Sequence, residues 1–325
     1  MKWENSVIFT KKSLMKRNIF WLLLIVVFFG SCEHPEEPEE DLYPYLIVDY
    51  RFTDEDVVVF SRKLAIANDL SAVYYTGESV SGAAYHIYKR PLSYVDHLVQ
   101  MSSGEGAAIG AYAVDLDILN QVYYQQAREI APDSVLHYIM RADPGMELGD
   151  PEPEELLSFN GNLVGFDEYE GRQADFFSVS ADGFVYIIGY DDTGFYYLNF
   201  RDEEPIVFSL PTAIEAVLAP DGQKYVWVDG SSNIYLSSTL LENPVLVGNG
   251  RYASISSNNK VGWVNQNLLH VYDISTQEVK KYYPPKNVAS AEELMNATLA
   301  ENGEKVAFRF YDASDSDIVM CSIPE

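Results

Sequence analysis

The stretch Ala219-Pro-Asp-Gly-Gln-Lys224, together with the apolar run Tyr225-Val-Trp-Val228 after it, decides the fold because the pattern recurs. Similar pairs of a turn and a strand begin at Ser180, Ser256 and Ala300. The residues that end these turns are 39, 37 and 44 residues apart in chain order, and they are Gly183, Gly222, Asn259 and Gly303. Gly and Asn tolerate the positive φ of tight turns. The pattern therefore predicts a repeated turn that leads into a strand.

Each repeat continues in the same way, through a polar loop into a second strand with a pair such as Ile234-Tyr235 or Val271-Tyr272. One strand precedes each turn, and a further strand follows the pair in most units. Four short strands in about 40 residues are typical of a propeller blade.

The first half of the chain repeats this pattern more weakly, at Asn68-Asp69 and Asn120-Gln121. The segment from Leu119 to Ile130 also fits a helix, and the repeat context favours a strand there. With turns at positions 69, 120, 182, 221, 258 and 302, we predict an all-β, six-bladed β-propeller of four-stranded antiparallel blades over residues 45–325. The last blade lacks a strand, so we expect an N-terminal strand within Leu46 to Phe60 to close the ring.

These repeats resemble those of the TolB-like propeller family, in which a Ser-Pro-Asp-Gly-Lys turn precedes an apolar strand, a polar loop and an Ile-Tyr pair. The best matches are Ala219-Pro-Asp-Gly-Gln-Lys224 and Glu301-Asn-Gly-Glu-Lys305. The resemblance covers residues 176–325 well and the first half less well. It implies a six-bladed propeller.

Residues 1–31 have the features of a lipoprotein signal peptide. Lys16-Arg17 precede an apolar run from Ile19 to Phe29, which is shorter than the roughly 20 residues that span a bilayer. The ending Phe29-Gly-Ser-Cys32 resembles a bacterial lipoprotein box, with Phe29 where Leu is usual, and it implies lipidation of Cys32. The alternative is an ordinary secretory signal or a short N-terminal anchor.

Residues 32–44 form a predicted acidic tether, with six carboxylates between Glu33 and Asp41. Such a run repels itself and stays solvated. It resembles the surface-export signal of Bacteroidota lipoproteins, which implies an outer-membrane protein anchored at the cell surface. The alternative is a linker on the periplasmic face.

The charge balance argues against nucleic acid as a partner. The chain has 22 Lys and Arg against 49 Asp and Glu, a net charge of −27. Residues 1–31 contain five basic residues and one acid, so their removal leaves −31. Such a surface repels a phosphate backbone.

The sequence contains no Gly-x-Ser-x-Gly, His-Glu-x-x-His or Gly-x-x-x-x-Gly-Lys motif. The five histidines are scattered, and Cys321 is interpreted as a small core residue. We therefore favour a non-catalytic protein over an enzyme, and we expect no cofactor apart from the calcium considered below.

Loops that join the second and third strands of a blade emerge on one side of a propeller, so their carboxylates should share an acidic rim. The predicted members are Glu78, Asp191, Asp192, Asp229, Asp312, Asp315 and Asp317. The spacing of Asp312, Asp315 and Asp317 could suit calcium, although loop acids that only solvate a hairpin are commoner. The acidic stretch from Arg141 to Ser158 is predicted as a long loop at a blade junction.

Tyrosine pairs such as Tyr74-Tyr75 and Tyr123-Tyr124 suggest either carbohydrate stacking or packing between blades, and we favour packing. The resulting hypothesis is a lipid-anchored, non-catalytic binding or scaffold protein of the cell envelope, with a protein or glycan ligand. The alternative is a carbohydrate-active enzyme, or a glycan-binding accessory protein, that uses the central funnel.

Overall fold

The computed structural model describes residues 42–53, 57–59, 63–79, 85–93, 98–102, 108–131, 134–145, 154–155, 176–190, 194–202, 206–210, 212–238, 244–286, 293–311 and 316–325. Residues 43–325 form one compact unit. The predicted signal peptide and the tether up to Asp41 lie outside the described residues.

The described residues form short β-strands joined by turns. In chain order the strands are β1 Ile47–Thr53, β2 Val57–Val59, β3 Ala65–Ile66, β4 Ala72–Ser79, β5 Tyr85–Pro91, β6 Val99–Gln100, β7 Ala108–Leu116, β8 Val122–Ala131, β9 Ser134–Ala142, β10 Glu154–Glu155, β11 Phe176–Val179, β12 Val185–Tyr190, β13 Gly194–Asn199, β14 Ile206–Leu210, β15 Ala213–Leu218, β16 Lys224–Asp229, β17 Asn233–Ser238, β18 Val245–Asn249, β19 Arg251–Ile255, β20 Lys260–Asn265, β21 Leu268–Asp273, β22 Glu278–Tyr282, β23 Glu293–Leu299, β24 Lys305–Tyr311 and β25 Ser316–Ser322.

These strands make six antiparallel sheets, the blades of a propeller. Blade 2 contains β7 to β10, blade 3 β11 to β14, blade 4 β15 to β18, and blade 5 β19 to β22. Blade 1 contains β2 to β6, because its inner position is divided between β2 and β3, which both pair with β4. The predicted six-bladed fold is confirmed. The segment from Leu119 to Ile130, which also fitted a helix, forms strand β8 from Val122 onward.

The ring closes through the N-terminal strand, as predicted. Strand β1 pairs with β25 and becomes the fourth strand of blade 6, outside β23, β24 and β25. Side-chain contacts tie it there: Arg51 Nε donates to Asp317 Oδ2 at 2.6 Å, and Asp49 Oδ2 accepts from Lys305 Nζ at 2.7 Å and from Ser322 Oγ at 2.8 Å. The first and last parts of the described chain are therefore joined within one sheet.

The residues just before β1 fasten a second blade. Leu46 N donates to Tyr283 O at 3.0 Å, and Tyr283 N donates to Pro44 O at 2.9 Å. The Tyr45 ring stacks on the Tyr283 ring with centroids 5.1 Å apart. Residues 43–53 therefore hold blade 5 and blade 6 together.

Six apolar clusters separate neighbouring blades, one at each blade junction around the ring. Adjacent tyrosines serve opposite junctions: Tyr74 faces blade 2 and Tyr75 faces blade 6, while Tyr123 faces blade 3 and Tyr124 faces blade 1. All four are almost fully buried. This alternation follows from the two-residue period of a strand, and it confirms the packing interpretation for these pairs.

The acidic stretch from Arg141 to Ser158 is placed differently from the prediction. Arg141 lies in β9, and Glu154 pairs with it from β10. The third and fourth strands of blade 2, β9 and β10, therefore both begin or end within a stretch that was predicted as a loop at a blade junction. The sequence pattern missed this because β10 has only two residues and both are acidic.

Candidate binding site at the centre of the ring

Six equivalent turns join the first and second strands of the blades, and they define what we call the turn face. In each turn the fourth residue has positive φ, between 57° and 75°, and its N–H donates to the first residue's carbonyl at 2.8–3.3 Å. The turns are Ala67–Leu70, Asp117–Asn120, Ser180–Gly183, Ala219–Gly222, Ser256–Asn259 and Ala300–Gly303. The same hydrogen bond therefore closes the turn at the end of the inner strand in every blade.

Backbone hydrogen bonds connect neighbouring turns around the central axis. Ile118 N donates to Ala181 O at 3.0 Å, Ala181 N to Pro220 O at 2.7 Å, and Ser257 N to Glu301 O at 3.0 Å. Pro220 has no N–H, so it cannot pass the series on to blade 5. These bonds link the turns of blades 2, 3 and 4 to one another, and the turn of blade 5 to that of blade 6.

A cavity of about 70 Å³ lies on the axis below the turns, and all six blades line it. A water molecule occupies about 30 Å³ of the bulk liquid, so this space suits a few waters or one small ion. A typical site for a drug-sized ligand is about 300–1,000 Å³.

A largely buried ion pair in the wall of this cavity joins blade 1 to blade 2. Lys63 Nζ lies 2.7 Å from Asp115 Oδ2, which also accepts a hydrogen bond from Val179 N at 2.9 Å. Lys63 Nζ is also 3.4 Å from Ser178 Oγ. Asp115 is therefore neutralised by a neighbouring cation and held by a third blade.

The other two carboxylates of the cavity differ from each other. Asp117 Oδ1 accepts hydrogen bonds from Leu119 N and Gln121 N, both at 2.9 Å, and Oδ2 accepts from the Tyr123 hydroxyl at 3.2 Å. Asp117 therefore stabilises its own turn. Glu301 is partly buried at the mouth, and this burial raises the pKa of its carboxyl group.

The predicted acidic rim can be followed at three of its seven residues. Asp229 Oδ1 accepts hydrogen bonds from Ser231 N and Asn233 N at 2.9 and 2.8 Å, and the Asn233 side chain at Oδ2 holds the pKa of Asp229 below its usual value. Asp317 is buried and bound to Arg51. Glu78 is half-buried near the end of β4. The remaining four, Asp191, Asp192, Asp312 and Asp315, lie outside the described residues.

The calcium prediction rests on Asp312, Asp315 and Asp317, and only Asp317 is described. Within the described part of the chain, no three His, Cys, Asp or Glu side chains are grouped as metal ligands. Cys321 is fully buried, and burial raises the pKa of its thiol to about 12.

His86 and His270 lie on the third strands of their blades, and neighbouring side chains pack against or hydrogen-bond to each ring. The His270 ring stacks on Trp263, with centroids 5.3 Å apart, and burial lowers its pKa to about 4. His86 Nδ1 is within hydrogen-bond distance of Ser102 and Gln100, and burial lowers its pKa. His137 has no described side chain.

Sequence reasoning missed three kinds of residue at the centre. Lys63 precedes β3 of blade 1, and a single lysine gives no signal of a cavity ion pair. Leu70 ends its turn with φ 57°, a conformation that Leu rarely adopts. Strand bulges place Ala113, Tyr252 and Asn296 at positive φ on the inner strands, with no Gly to mark them.

Comparison with known proteins adds little to this geometry. No family model and no curated protein matches the chain. Among solved structures, it is similar to the β-propeller domain of Cps50 (Swd1) from Myceliophteria thermophila, with 10% identity and a TM-score of 0.47. That match covers 86% of this chain and 100% of the other. The six-bladed assignment therefore rests on the strand pairing.

In the part of the chain that is described, no helix has the length and apolar character needed to cross a bilayer.

Proposed function

We propose that this protein is a lipid-anchored, TolB-like propeller of the cell envelope that acts as a non-catalytic binding or scaffold protein. The observation that carries the non-catalytic part of the proposal is the state of the central carboxylates: Lys63 neutralises Asp115, and Asp117 caps its own turn. A glycosidase needs two carboxyl groups free to act as acid and base or nucleophile. Only Glu301, among the three described carboxylates of the cavity, has no such bond through its side chain.

The size of the cavity supports the same proposal. At about 70 Å³ it is several-fold smaller than the 300–1,000 Å³ of typical small-molecule sites. A ligand would meet this protein on an outer face of the ring, as the partners of a scaffold do. No described feature favours a carbohydrate-active centre in the funnel.

The anchoring part of the proposal is tested with the full chain and a Cys32→Ala variant. An alkyne-tagged palmitate fed to the cells should label the full chain and not the variant. Protease added to intact cells should cleave the anchored protein if it faces outward, and only after outer-membrane lysis if it faces the periplasm. Equal labelling of both chains would contradict lipidation at Cys32.

The binding part is tested with the processed chain on glycan and peptide arrays, with calcium and with a chelator, alongside assays for hydrolysis of the same ligands. We expect binding without turnover. Calcium-dependent binding that is lost in an Asp315→Asn variant would support a calcium site in the Asp312 to Asp317 loop. Hydrolysis that is lost in a Glu301→Gln variant would overturn the proposal in favour of an enzyme.

A further inference from the structure

Three large apolar side chains are exposed side by side on the turn face. Ile118, Leu119 and Phe184 expose 56%, 72% and 54% of their surface. Their turns touch, since Ile118 N donates to Ala181 O, in the turn that leads into Phe184. Together they expose on the order of 300 Å², which is comparable to the largest apolar patch of a typical monomer. We call these three residues the apolar turn patch.

The other blades supply an internal comparison. The residues equivalent to Leu119 are all polar: Asp69, Asp182, Asp221, Asn258 and Asn302. Those equivalent to Phe184 are also polar: Ser71, Gln121, Gln223, Lys260 and Glu304. Those equivalent to Ile118 are smaller or polar: Asn68, Ala181, Pro220, Ser257 and Glu301. Four other blades form the same turn with none of these large apolar side chains, so the fold does not require the patch.

Local hydrogen bonding confirms that the turns do not need these side chains. In blade 2 the capping acceptor is Asp117, whose Oδ1 takes the Leu119 and Gln121 N–H groups. In blade 3 it is Asp182, whose Oδ1 accepts from Phe184 N at 3.2 Å. The three side chains are thus free to contact a partner.

Carboxylates flank the patch on both sides. Asn68 Nδ2 donates to Asp117 O at 2.9 Å, which brings Asp69 of the neighbouring turn beside the patch. On the other side lie Asp182 and Asp221. The nearby cation Arg201 is engaged, since its Nε donates to Asp182 Oδ2 at 2.6 Å and its Nη2 to Asp221 O at 2.9 Å. Arg201 therefore neutralises Asp182, and it is Asp69 and Asp221 that favour positive charge next to the apolar centre.

We propose that the apolar turn patch binds a polypeptide segment in which apolar side chains alternate with Lys or Arg. This proposal rests on the binding function proposed above and names the surface and the partner class. The apolar side chains would cover Ile118, Leu119 and Phe184, and the cations would meet Asp69 and Asp221. Complementary charge of this kind speeds association and selects the partner.

The test uses fluorescence anisotropy of labelled peptides with the processed chain. The probe is acetyl-KLKFKLK; KSKSKSK is the charge-matched control and ELEFELE the apolar control of opposite charge. We expect the probe to bind at least tenfold more tightly than either control, and its affinity to fall between 50 and 300 mM NaCl.

The decisive variant combines Ile118→Ser, Leu119→Asn and Phe184→Gln, which are residues that blades 4 and 5 carry in the same turn. It should keep the wild-type unfolding midpoint and bind the probe at least tenfold more weakly. The matched control combines Val245→Ser and Leu246→Ser, which removes similarly exposed apolar side chains from β18 and should bind like the wild type.

Equal binding by the triple variant and the wild type, or an equal loss in the β18 control, would overturn the assignment. A wild-type chain that sediments as a dimer, with a triple variant that sediments as a monomer, would also overturn the assignment, because the patch would then bind a second copy of this chain. If the arrays show binding that the triple variant retains, this inference fails while the proposed binding function stands.

Discussion

The turn of blade 1 has the same backbone as the other five turns but ends in a different type of residue. Leu70 has φ of 57°, whereas Asn120, Gly183, Gly222, Asn259 and Gly303 have φ between 60° and 75°. Glycine adopts this conformation at little cost, whereas Leu is strained in it by about 1 kcal/mol. The backbone geometry of the turn and its hydrogen bond therefore repeat in all six blades. The residue type at the fourth position does not repeat, although Gly or Asn avoids strain in five of the six turns.

Blade 1 also differs from blades 3 to 6 along the axis. The inner position of blade 1 is divided between β2 and β3, and Lys63 precedes β3 with its ammonium group in the cavity. The inner strands of blades 3 to 6 are continuous. Blade 1 adjoins blade 6 at the seam where β1 completes blade 6. We expect substitutions at this seam to destabilise the protein most.

The largest expected effect is at the seam. Phe52 of β1 is buried between blade 6 and blade 1, with the Arg90 guanidinium 4.7 Å from its ring centroid. We expect Phe52→Ala to lower the free energy of unfolding by about 3–4 kcal/mol in urea titrations. Ile47→Ala, at an exposed position of the same strand, should change it by less than about 0.5 kcal/mol. Similar losses in both variants would show that β1 is not part of the packed ring.

A second comparison sets a buried ion pair of the first half against an exposed one of the second. Lys63→Met leaves Asp115 without its cation and should lower the free energy of unfolding by about 2–3 kcal/mol. Arg201→Met removes an exposed partner of Asp182 and should lower it by less than about 1 kcal/mol. Chemical denaturation of both variants at low and high salt checks this, and equal losses would contradict the burial of the Lys63–Asp115 pair.

The turns themselves give the third comparison. In a Gly222→Ala variant the new Cβ would lie 2.7 Å from Arg201 Nη2 at φ 67°, so we expect a loss of about 1–2 kcal/mol. Leu70→Gly should change stability less, because relief of backbone strain offsets lost packing of the Leu side chain. Gly230→Ala, where a Cβ meets nothing within 4 Å, is the neutral control. A neutral Gly222→Ala would show that the positive φ is not required.

The smallest expected effect is a dependence of stability on pH that originates at His270, in the third strand of blade 5. Burial lowers the pKa of His270 to about 4, so the folded state disfavours its protonation. Its contribution to stability is complete above pH 6.5 and is lost as the pH falls toward 4, by about 1 kcal/mol between pH 7 and 5.5. His270→Phe should keep the ring stacked on Trp263 and remove this dependence in thermal scans across that range. An unchanged slope would mean that other groups cause it.

The sequence predicted the parts of the fold that depend on glycine, asparagine and strand period. It located four turns between Ser180 and Gly303, the six blades and the closing strand, because these features need particular residue types at fixed spacing. It missed Leu70 and the bulge at Tyr252, since a strained conformation held by surrounding contacts leaves no mark in the residue itself.

The candidate site was less predictable than the fold. The acidic rim was inferred from loop composition, but Asp229 stabilises its own hairpin and Asp317 fastens β1. The cavity pair of Lys63 and Asp115 joins residues from two blades, and the apolar turn patch joins Leu119 to Phe184. Both depend on which turns become neighbours in space, and this information appears only when the ring is assembled.

The most direct test of the closed ring is urea unfolding of two chains that begin at residue 33 and at residue 54. We predict that the shorter chain, without residues 43–53, unfolds at a lower urea concentration and with a broader transition. A synthetic peptide of residues 43–53 added to it should restore the midpoint and the single cooperative transition. Identical unfolding of the two chains, with no effect of the peptide, would contradict closure of the ring by the N-terminal strand.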